Sequence, residues 1–93
     1  MAINSHIRLV IVDDYPVVLS GLVSMLKNHE DIELVGVANN GRKAIELARE
    51  QKPNVVIMNL NMPEIDGIQA TREIRKINGD IHVLIFSGIN TSD

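Results

Sequence analysis

The chain of 93 residues contains no cysteine, which excludes both a disulfide framework and a thiolate zinc site. A protein without cysteine is suited to a reducing compartment, so we expect it in the cytoplasm. Near the N-terminus, only the short apolar-rich stretch 7–12 precedes acidic residues. That stretch is too short for the core of a signal peptide or for a membrane span. We therefore expect no export by that route and no membrane partner.

Runs of lysine and arginine are absent as well, and the net charge is -3 at pH 7. A surface of this kind does not attract nucleic acid, so any contact with DNA would need another segment. Apolar residues make up 45% of the chain and charged residues 23%, which is typical of a globular protein. The length allows one domain at most.

Three sequence motifs of enzymes and nucleotide binders are missing. No G-x-S-x-G occurs, and the glycines form neither a dinucleotide-binding nor a P-loop pattern. A hydrolase is thereby disfavoured, and so is a small flavodoxin-like enzyme or nucleotide binder, which would need a phosphate-cradling loop. His6, His29 and His82 have no spacing that would gather them on one metal, and we expect them to be structural or exposed.

What is present is an alternation of short β-branched runs with amphipathic stretches. Strands are predicted at 7–12, 32–38, 55–58 and 81–87, and helices at 16–28, 42–51 and 66–77. The buried stripe of the first helix is predicted at Val18, Leu22, Met25 and Leu26, and that of the second at Ala44, Ile45 and Ala48. Because each connection is long enough to cross over, the strands should be parallel. The pattern predicts an α/β doubly wound sheet.

Polar residues stand at or just beyond the ends of several predicted strands. Doubly wound sheets bind ligands outside the carboxyl ends of their strands, so Asp13, Asp14, Asn59 and Ser87 should converge at one edge. Two carboxylates about 4 Å apart repel by on the order of 4 kcal/mol at an effective dielectric of 20, which a cation such as Mg²⁺ would offset. The alternative makes the Asp pair a helix N-cap and a solvated charge.

Four blocks of sequence share one resemblance in order and spacing: IRLVIVDDYPVVLSGL, VGVANNGRKAIELA, PNVVIMNLNMPEIDGIQATREIR and HVLIFSG. Together they resemble the receiver domain of bacterial two-component response regulators. The sequence of these blocks is most similar to that of the NarL/FixJ (LuxR-type) group, whose members usually carry a C-terminal helix-turn-helix domain. The resemblance implies a flavodoxin-like receiver fold with strand order 2-1-3-4, and residues 1–93 would be a partial receiver domain without its DNA-binding output domain.

The same resemblance implies roles for the polar residues. Asp14 matches the direct ligand of Mg²⁺, Asp13 matches the acidic neighbour that holds the metal through water, and the backbone carbonyl of Asn61 matches a further ligand. Asn59 stands at the phosphoacceptor position and could also offer its amide oxygen to the metal. Ser87 matches the hydroxyl residue that binds the phosphoryl group, and Pro63 and Gly67 match residues that shape the adjoining loop.

The acceptor position departs from the family pattern. Asn59 lacks the anionic oxygen that attacks the phosphorus of a phosphohistidine, so we expect no phosphorylation there. Losing one charge should also weaken Mg²⁺ binding and ease the repulsion around Asp13 and Asp14, giving a site more stable without metal. A natural degenerate receiver and an engineered substitution both fit the sequence.

The length departs as well, because the family pattern continues with a fourth helix, a fifth strand bearing a lysine, and a fifth helix. We expect the fourth strand to be an exposed edge, and the chain to associate with itself or swap segments through 81–86. The implied function is that of a switch rather than an enzyme, with a sensor histidine kinase as partner and DNA reached only through the missing output domain. The alternative is a degenerate stand-alone receiver that acts by protein contacts without phosphotransfer.

Overall fold

The computed structural model describes residues 6–87, in which strands and helices alternate as the sequence predicts. The elements are β1 (Ile7–Val12), α1 (Pro16–Leu26), β2 (Ile32–Ala38), α2 (Gly41–Gln51), β3 (Val55–Asn59), α3 (Gly67–Ile77) and β4 (His82–Phe86). Within this range no helix is both long and apolar enough to cross a bilayer.

The four strands form one parallel sheet in the order β2-β1-β3-β4. β1 lies inside the sheet, and its last residues are fully buried because helices cover both faces at this point. Their β-branched side chains suit such a strand. The predicted doubly wound α/β class and the predicted strand order are both confirmed.

The main apolar core lies between the sheet and the pair α2 and α3. Both helices turn small residues inward, and Ala44, Ala48 and Ala70 are buried while Ile45 packs on the core from its margin. The predicted stripe of α2 is therefore confirmed. Small side chains let the helix backbones lie close to the sheet, where branched and long residues of the strands fill the remaining space.

Helix α1 differs from its prediction in two ways. It ends at Leu26 rather than near residue 28, because the N–H of Lys27 bonds the carbonyl of Ser24 at 3.3 Å and tightens the last turn. Its predicted buried face was also wrong at Met25, whose exposed fraction is 71%. The half-buried side of α1 is centred on Leu22 and Leu26 instead, and no residue of the helix is fully buried.

The starts of the helices follow from local chemistry. Proline opens α1, where a missing N–H costs nothing. Asn40 caps α2 by accepting a hydrogen bond from the N–H of Lys43 at 2.8 Å, and Asp66 caps α3 by accepting one from the N–H of Gln69 at 2.8 Å. These caps fix where the loops at the carboxyl edge of the sheet end.

Candidate functional site: the carboxyl edge of β1 and β3

Asp13 directly follows β1 and is buried, with an exposed fraction of 1%. Its N–H donates to the carbonyl of Ala38 at 3.1 Å, which continues the pairing of β1 with β2 by one step. Its carboxylate Oδ1 accepts the backbone N–H of Tyr15 at 2.9 Å and the amide Nδ2 of Asn59 at 3.3 Å. The side chain is thus held inside the edge of the sheet by two donors.

Asp14 lies beside it and is only partly exposed. Its Oδ1 is buried, and no atom of residues 6–87 hydrogen-bonds it. A buried carboxylate oxygen without a partner is costly, so this atom is suited to a cation or an ordered water. The cap of α1 is Tyr15, which makes no side-chain capping bond. The alternative in which one of the two aspartates is the N-cap of α1 is therefore wrong.

Asn59 ends β3 and joins the acidic pair to the following loop. It is 8% exposed. Its Nδ2 donates to Asp13, and its Oδ1 accepts the N–H of Asn61 at 3.1 Å. The amide hydrogen therefore brings a partial positive charge to a buried carboxylate, in the position where a carboxylate at residue 59 would bring a second negative charge.

The loop between β3 and α3 is fixed at both ends by backbone hydrogen bonds. The N–H of Leu60 donates to the carbonyl of Phe86 at 2.7 Å, and the N–H of Gly67 donates to the carbonyl of Leu60 at 2.9 Å. A Cβ on Gly67 would lie 2.8 Å from the carbonyl oxygen of Asn59, so only glycine fits this approach. Glu64 adopts a left-handed conformation with φ of 67°, which marks a sharp turn.

The remaining predicted site residues make no hydrogen bond to the Oδ1 atoms of Asp13 and Asp14 within residues 6–87. Ser87 follows β4, at the same edge as Asn59, since Phe86 is in register with Asn59. Its side chain is exposed and has no hydrogen bond among the described residues. The side chains of Asn61 and Pro63 are exposed too. The structure therefore brings Asp13 and Asn59 into contact, with Asp14 adjacent, and leaves Ser87 at the open rim.

Mg²⁺ fits the donors of this edge, although the described residues contain no cluster of three or more His, Cys, Asp or Glu side chains. The residues that would hold the ion are Asp13 and Asp14 through their carboxylates, with the amide oxygen of Asn59 and the backbone carbonyl of Asn61 as the further oxygen ligands that the family resemblance implies. All are hard oxygen ligands, and the unpartnered Oδ1 of Asp14 is the atom that most needs a cation. Two carboxylates rather than three supply the negative charge.

One feature of the pocket was missed from the sequence. The hydrogen bond from the N–H of Tyr15 to Asp13 is an Asx-type turn, in which an aspartate bonds the backbone two residues on. The signal that could have indicated it is the position of Asp13 two residues before Tyr15 and three before the helix-opening proline. This turn orients the buried carboxylate toward β3.

The sheet order and the acidic pocket at the carboxyl ends of β1 and β3 define a flavodoxin-like α/β domain with a ligand site at its strand ends. A sequence model of the response regulator receiver domain family matches residues 9–93. The chain belongs to that family, as the receiver domain of a two-component response regulator.

Known proteins agree with this assignment. The chain is 42% identical over 84 residues to protein-glutamate methylesterase/protein-glutamine glutaminase 2 of Methanospirillum hungatei JF-1, covering 90% of the chain and 24% of that protein. It is 40% identical over 81 residues to response regulator GacA of Pseudomonas aeruginosa, covering 87% of the chain and 38% of GacA. The chain thus spans roughly a quarter to two fifths of the length of these relatives.

Structure comparison gives the same result. The crystal structure of a LuxR-family two-component response regulator from Aurantimonas sp. SI85-9A1 matches with a TM-score of 0.84 at 35% identity. The match covers 92% of this chain and 61% of that one. The resemblance to receivers of the NarL/FixJ (LuxR-type) group is confirmed.

Proposed function

We propose that this receiver belongs to a DNA-binding transcriptional regulator and that Asn59 holds it unphosphorylated. The observation that carries the proposal is the buried contact of Asn59 with Asp13, at 3.3 Å, in the pocket where the family accepts phosphate. A side chain in this place meets the acidic pair on one side and the loop leading to α3 on the other.

The chemistry of Asn59 supports the proposal that residue 59 is not phosphorylated. Phosphoryl transfer to a receiver needs an anionic oxygen that attacks phosphorus, and a neutral amide oxygen is a poor nucleophile because its lone pair is delocalised onto nitrogen. Its Oδ1 also accepts the N–H of Asn61, which draws electron density further from the oxygen. Position 59 therefore has the location of the acceptor without its reactivity.

The neighbouring residues keep roles that fit the proposal. Asp13 and Asp14, with the carbonyl of Asn61, would hold Mg²⁺, which when bound offsets negative charge on a phosphoryl group. Ser87 would donate its hydroxyl to that group from the rim of β4. Because Asn59 already supplies Asp13 with a hydrogen bond, the pocket keeps its shape without the metal, and we expect weak Mg²⁺ binding.

The proposed output rests on the relatives and lies outside these residues. GacA is a response regulator, and the matched Aurantimonas structure is a LuxR-family one. We place the chain as the receiver of such a regulator, with a sensor histidine kinase as partner and DNA bound through a separate domain. The receiver itself is proposed to be a switch rather than an enzyme.

A second function is favoured by the hydrogen bonds that the Asn59 side chain already makes on both sides. Since the amide of Asn59 hydrogen-bonds on both sides, the domain needs neither metal nor phosphate to complete this contact. A receiver of this kind can act alone by occupying a kinase without draining its phosphate. The gene beyond codon 93 separates the two: a continued receiver and a helix-turn-helix support the regulator, and a stop codon there supports the stand-alone protein.

The proposed function is tested with histidine kinases of the same organism, each loaded with labelled phosphate. We expect one kinase to label the Asn59→Asp variant and none to label the wild-type chain. Unlabelled wild-type chain, added in excess, should slow labelling of the variant because both bind the same kinase surface. Labelling of the wild type would contradict the proposal that Asn59 prevents phosphorylation. A folded Asn59→Asp variant that no kinase labels would contradict the receiver role.

A further inference from the structure

The dipeptide Asn-Gly occurs twice in the chain, at 40–41 and 78–79. In this dipeptide the glycine nitrogen can lose its proton to water and bond the side-chain carbonyl carbon of asparagine, because glycine has no Cβ to hinder the approach. The bond from that carbon to Nδ2 breaks, ammonia leaves, and a succinimide ring remains. Water then adds to one ring carbonyl and opens the ring to aspartate or isoaspartate. In a folded chain the reaction depends on how each dipeptide is held.

Asn40-Gly41 is held firmly because it begins α2. Oδ1 of Asn40 accepts the N–H of Lys43 at 2.8 Å, and the backbone carbonyl of Asn40 accepts the N–H of Ala44 at 3.1 Å. Gly41 is buried, and a Cβ there would lie 2.8 Å from the carbonyl oxygen of Ile65, so its backbone has no room to turn. Closing a ring at this dipeptide would break the capping bond and displace the glycine.

Asn78-Gly79 lies in the connection between α3 and β4, and its glycine has room. Both residues are exposed, and the N–H of Gly79 makes no hydrogen bond within residues 6–87. A Cβ on Gly79 would lie 3.9 Å from its nearest atom outside the adjoining residues, the carbonyl oxygen of Arg75. The glycine nitrogen can therefore turn toward the Asn78 side chain without displacing a packed group.

Three contacts around Asn78-Gly79 favour ring closure. Oδ1 of Asn78 accepts the N–H of Asp80 at 2.9 Å, which folds the side chain over the peptide bond to Gly79 and stabilises the negative charge that develops on Oδ1. The backbone carbonyl of Asn78 accepts the N–H of Ile81 at 3.2 Å. Nη2 of Arg75 donates to the carbonyl of Gly79 at 3.1 Å. The second hydrogen bond and the cation both favour the anion that the glycine nitrogen becomes when it loses its proton.

We propose that Asn78 is a self-modification site, which converts to aspartate and isoaspartate in the folded domain while Asn40 persists. The amide of Asn59 is protected as well, because the N–H of the following Leu60 donates to the carbonyl of Phe86 at 2.7 Å and Leu60 has a Cβ that hinders ring closure. The acceptor pocket therefore keeps its amide, and the loss of ammonia occurs at the opposite end of the sheet.

Isoaspartate changes this connection more than aspartate does. It leads the main chain through Cβ and Cγ of residue 78, and the carbonyl that accepted the N–H of Ile81 becomes part of a free carboxylate. Ile81 is 1% exposed and belongs to the core. Formation of isoaspartate should therefore loosen the start of β4.

Ageing of the folded chain at mildly alkaline pH tests the proposal. Peptides that contain residues 40 and 78 are then weighed for the mass gain of an amide converted to an acid. We expect Asn78 to convert at least about tenfold faster than Asn40, because the cap of α2 must break before Asn40 reacts. In guanidinium chloride the two rates should be similar, since both dipeptides are then free of the fold.

Gly79→Ala is the matched variant. No glycine of residues 6–87 has a positive φ, and a Cβ at 79 has room, so alanine should leave the fold unchanged, as circular dichroism can check. Its methyl group hinders ring closure, and conversion of Asn78 should fall to a small fraction of the wild-type rate. Equal rates for Asn40 and Asn78 in the folded wild type would overturn the proposal. So would an Asn78 that converts only after unfolding, or one that converts as fast in Gly79→Ala.

Discussion

Replacing Asn59 by aspartate is expected to lower the free energy of unfolding by about 1–3 kcal/mol in the presence of EDTA. The variant loses the hydrogen bond from Nδ2 to Asp13 and sets a second carboxylate against a buried one. Urea denaturation of the wild type and the variant measures the difference. The wild type should be the more stable protein without metal, even though the substitution changes very few atoms.

Magnesium should reverse this order. With aspartate at position 59 the pocket would contain three carboxylates, and the affinity of oxygen sites for hard cations rises with the number of charged ligands. We expect Asn59→Asp to bind Mg²⁺ at least about tenfold more tightly than the wild type, since tenfold corresponds to only about 1.4 kcal/mol. Its free energy of unfolding should therefore rise with Mg²⁺, whereas that of the wild type should change little.

Asn61→Asp is the matched control for charge. It adds the same carboxylate two residues away, but the side chain of Asn61 is exposed and donates no hydrogen bond to the pocket. Its effect on stability in EDTA and its response to Mg²⁺ should both be much smaller. Equal effects of Asn59→Asp and Asn61→Asp would show that general charge, and not the contact with Asp13, governs the pocket.

Gly67→Ala is expected to destabilise the domain by about 1–3 kcal/mol, measured by urea denaturation. An added Cβ would lie 2.8 Å from the carbonyl oxygen of Asn59 and 2.9 Å from the Cα of Leu60. Both atoms belong to the backbone, so they cannot turn aside as a side chain would. The end of β3 must shift, and the shift should also disturb the hydrogen bond of Asn59 with Asp13.

Gly21→Ala is the control for this substitution. Gly21 lies inside α1, and an added Cβ meets no atom within 4 Å. Alanine is the better helix former there, so Gly21→Ala should stabilise the protein by about 0.5–1 kcal/mol. If Gly67→Ala were as harmless as Gly21→Ala, the close approach of α3 to the end of β3 would not constrain the loop.

Much of the fold could be predicted from the sequence because its local signals agree. The β-branched run of β1 indicates a strand covered on both faces, and the spacing of Ala44 and Ala48 indicates the buried side of α2. The face of α1 was harder to predict because apolar residues surround much of that helix. Spacing alone predicts that Met25 lies inward, and only the packing of α1 against β1 and β2 shows that it lies outward.

The candidate site, like the fold, could be predicted from the sequence only in part. Topology alone brings the ends of β1 and β3 together, so the meeting of Asp13 with Asn59 could be predicted. The direction of the amide could not, because it depends on the backbone N–H of Asn61 and on the turn at Tyr15. The unpartnered Oδ1 of Asp14 depends likewise on how far the loop closes over it. The roles of these residues in metal binding and phosphotransfer remain predictions.

The most direct test of the central claim is the intact mass of the full-length protein after incubation with acetyl phosphate and Mg²⁺. The wild type should keep its mass, because Asn59 offers no anionic oxygen to phosphorus. The Asn59→Asp variant should gain the mass of one phosphoryl group, lost again on mild hydrolysis as expected of an acyl phosphate. A wild type that gains the group at residue 59, or a folded Asn59→Asp variant that does not gain it, would contradict the account.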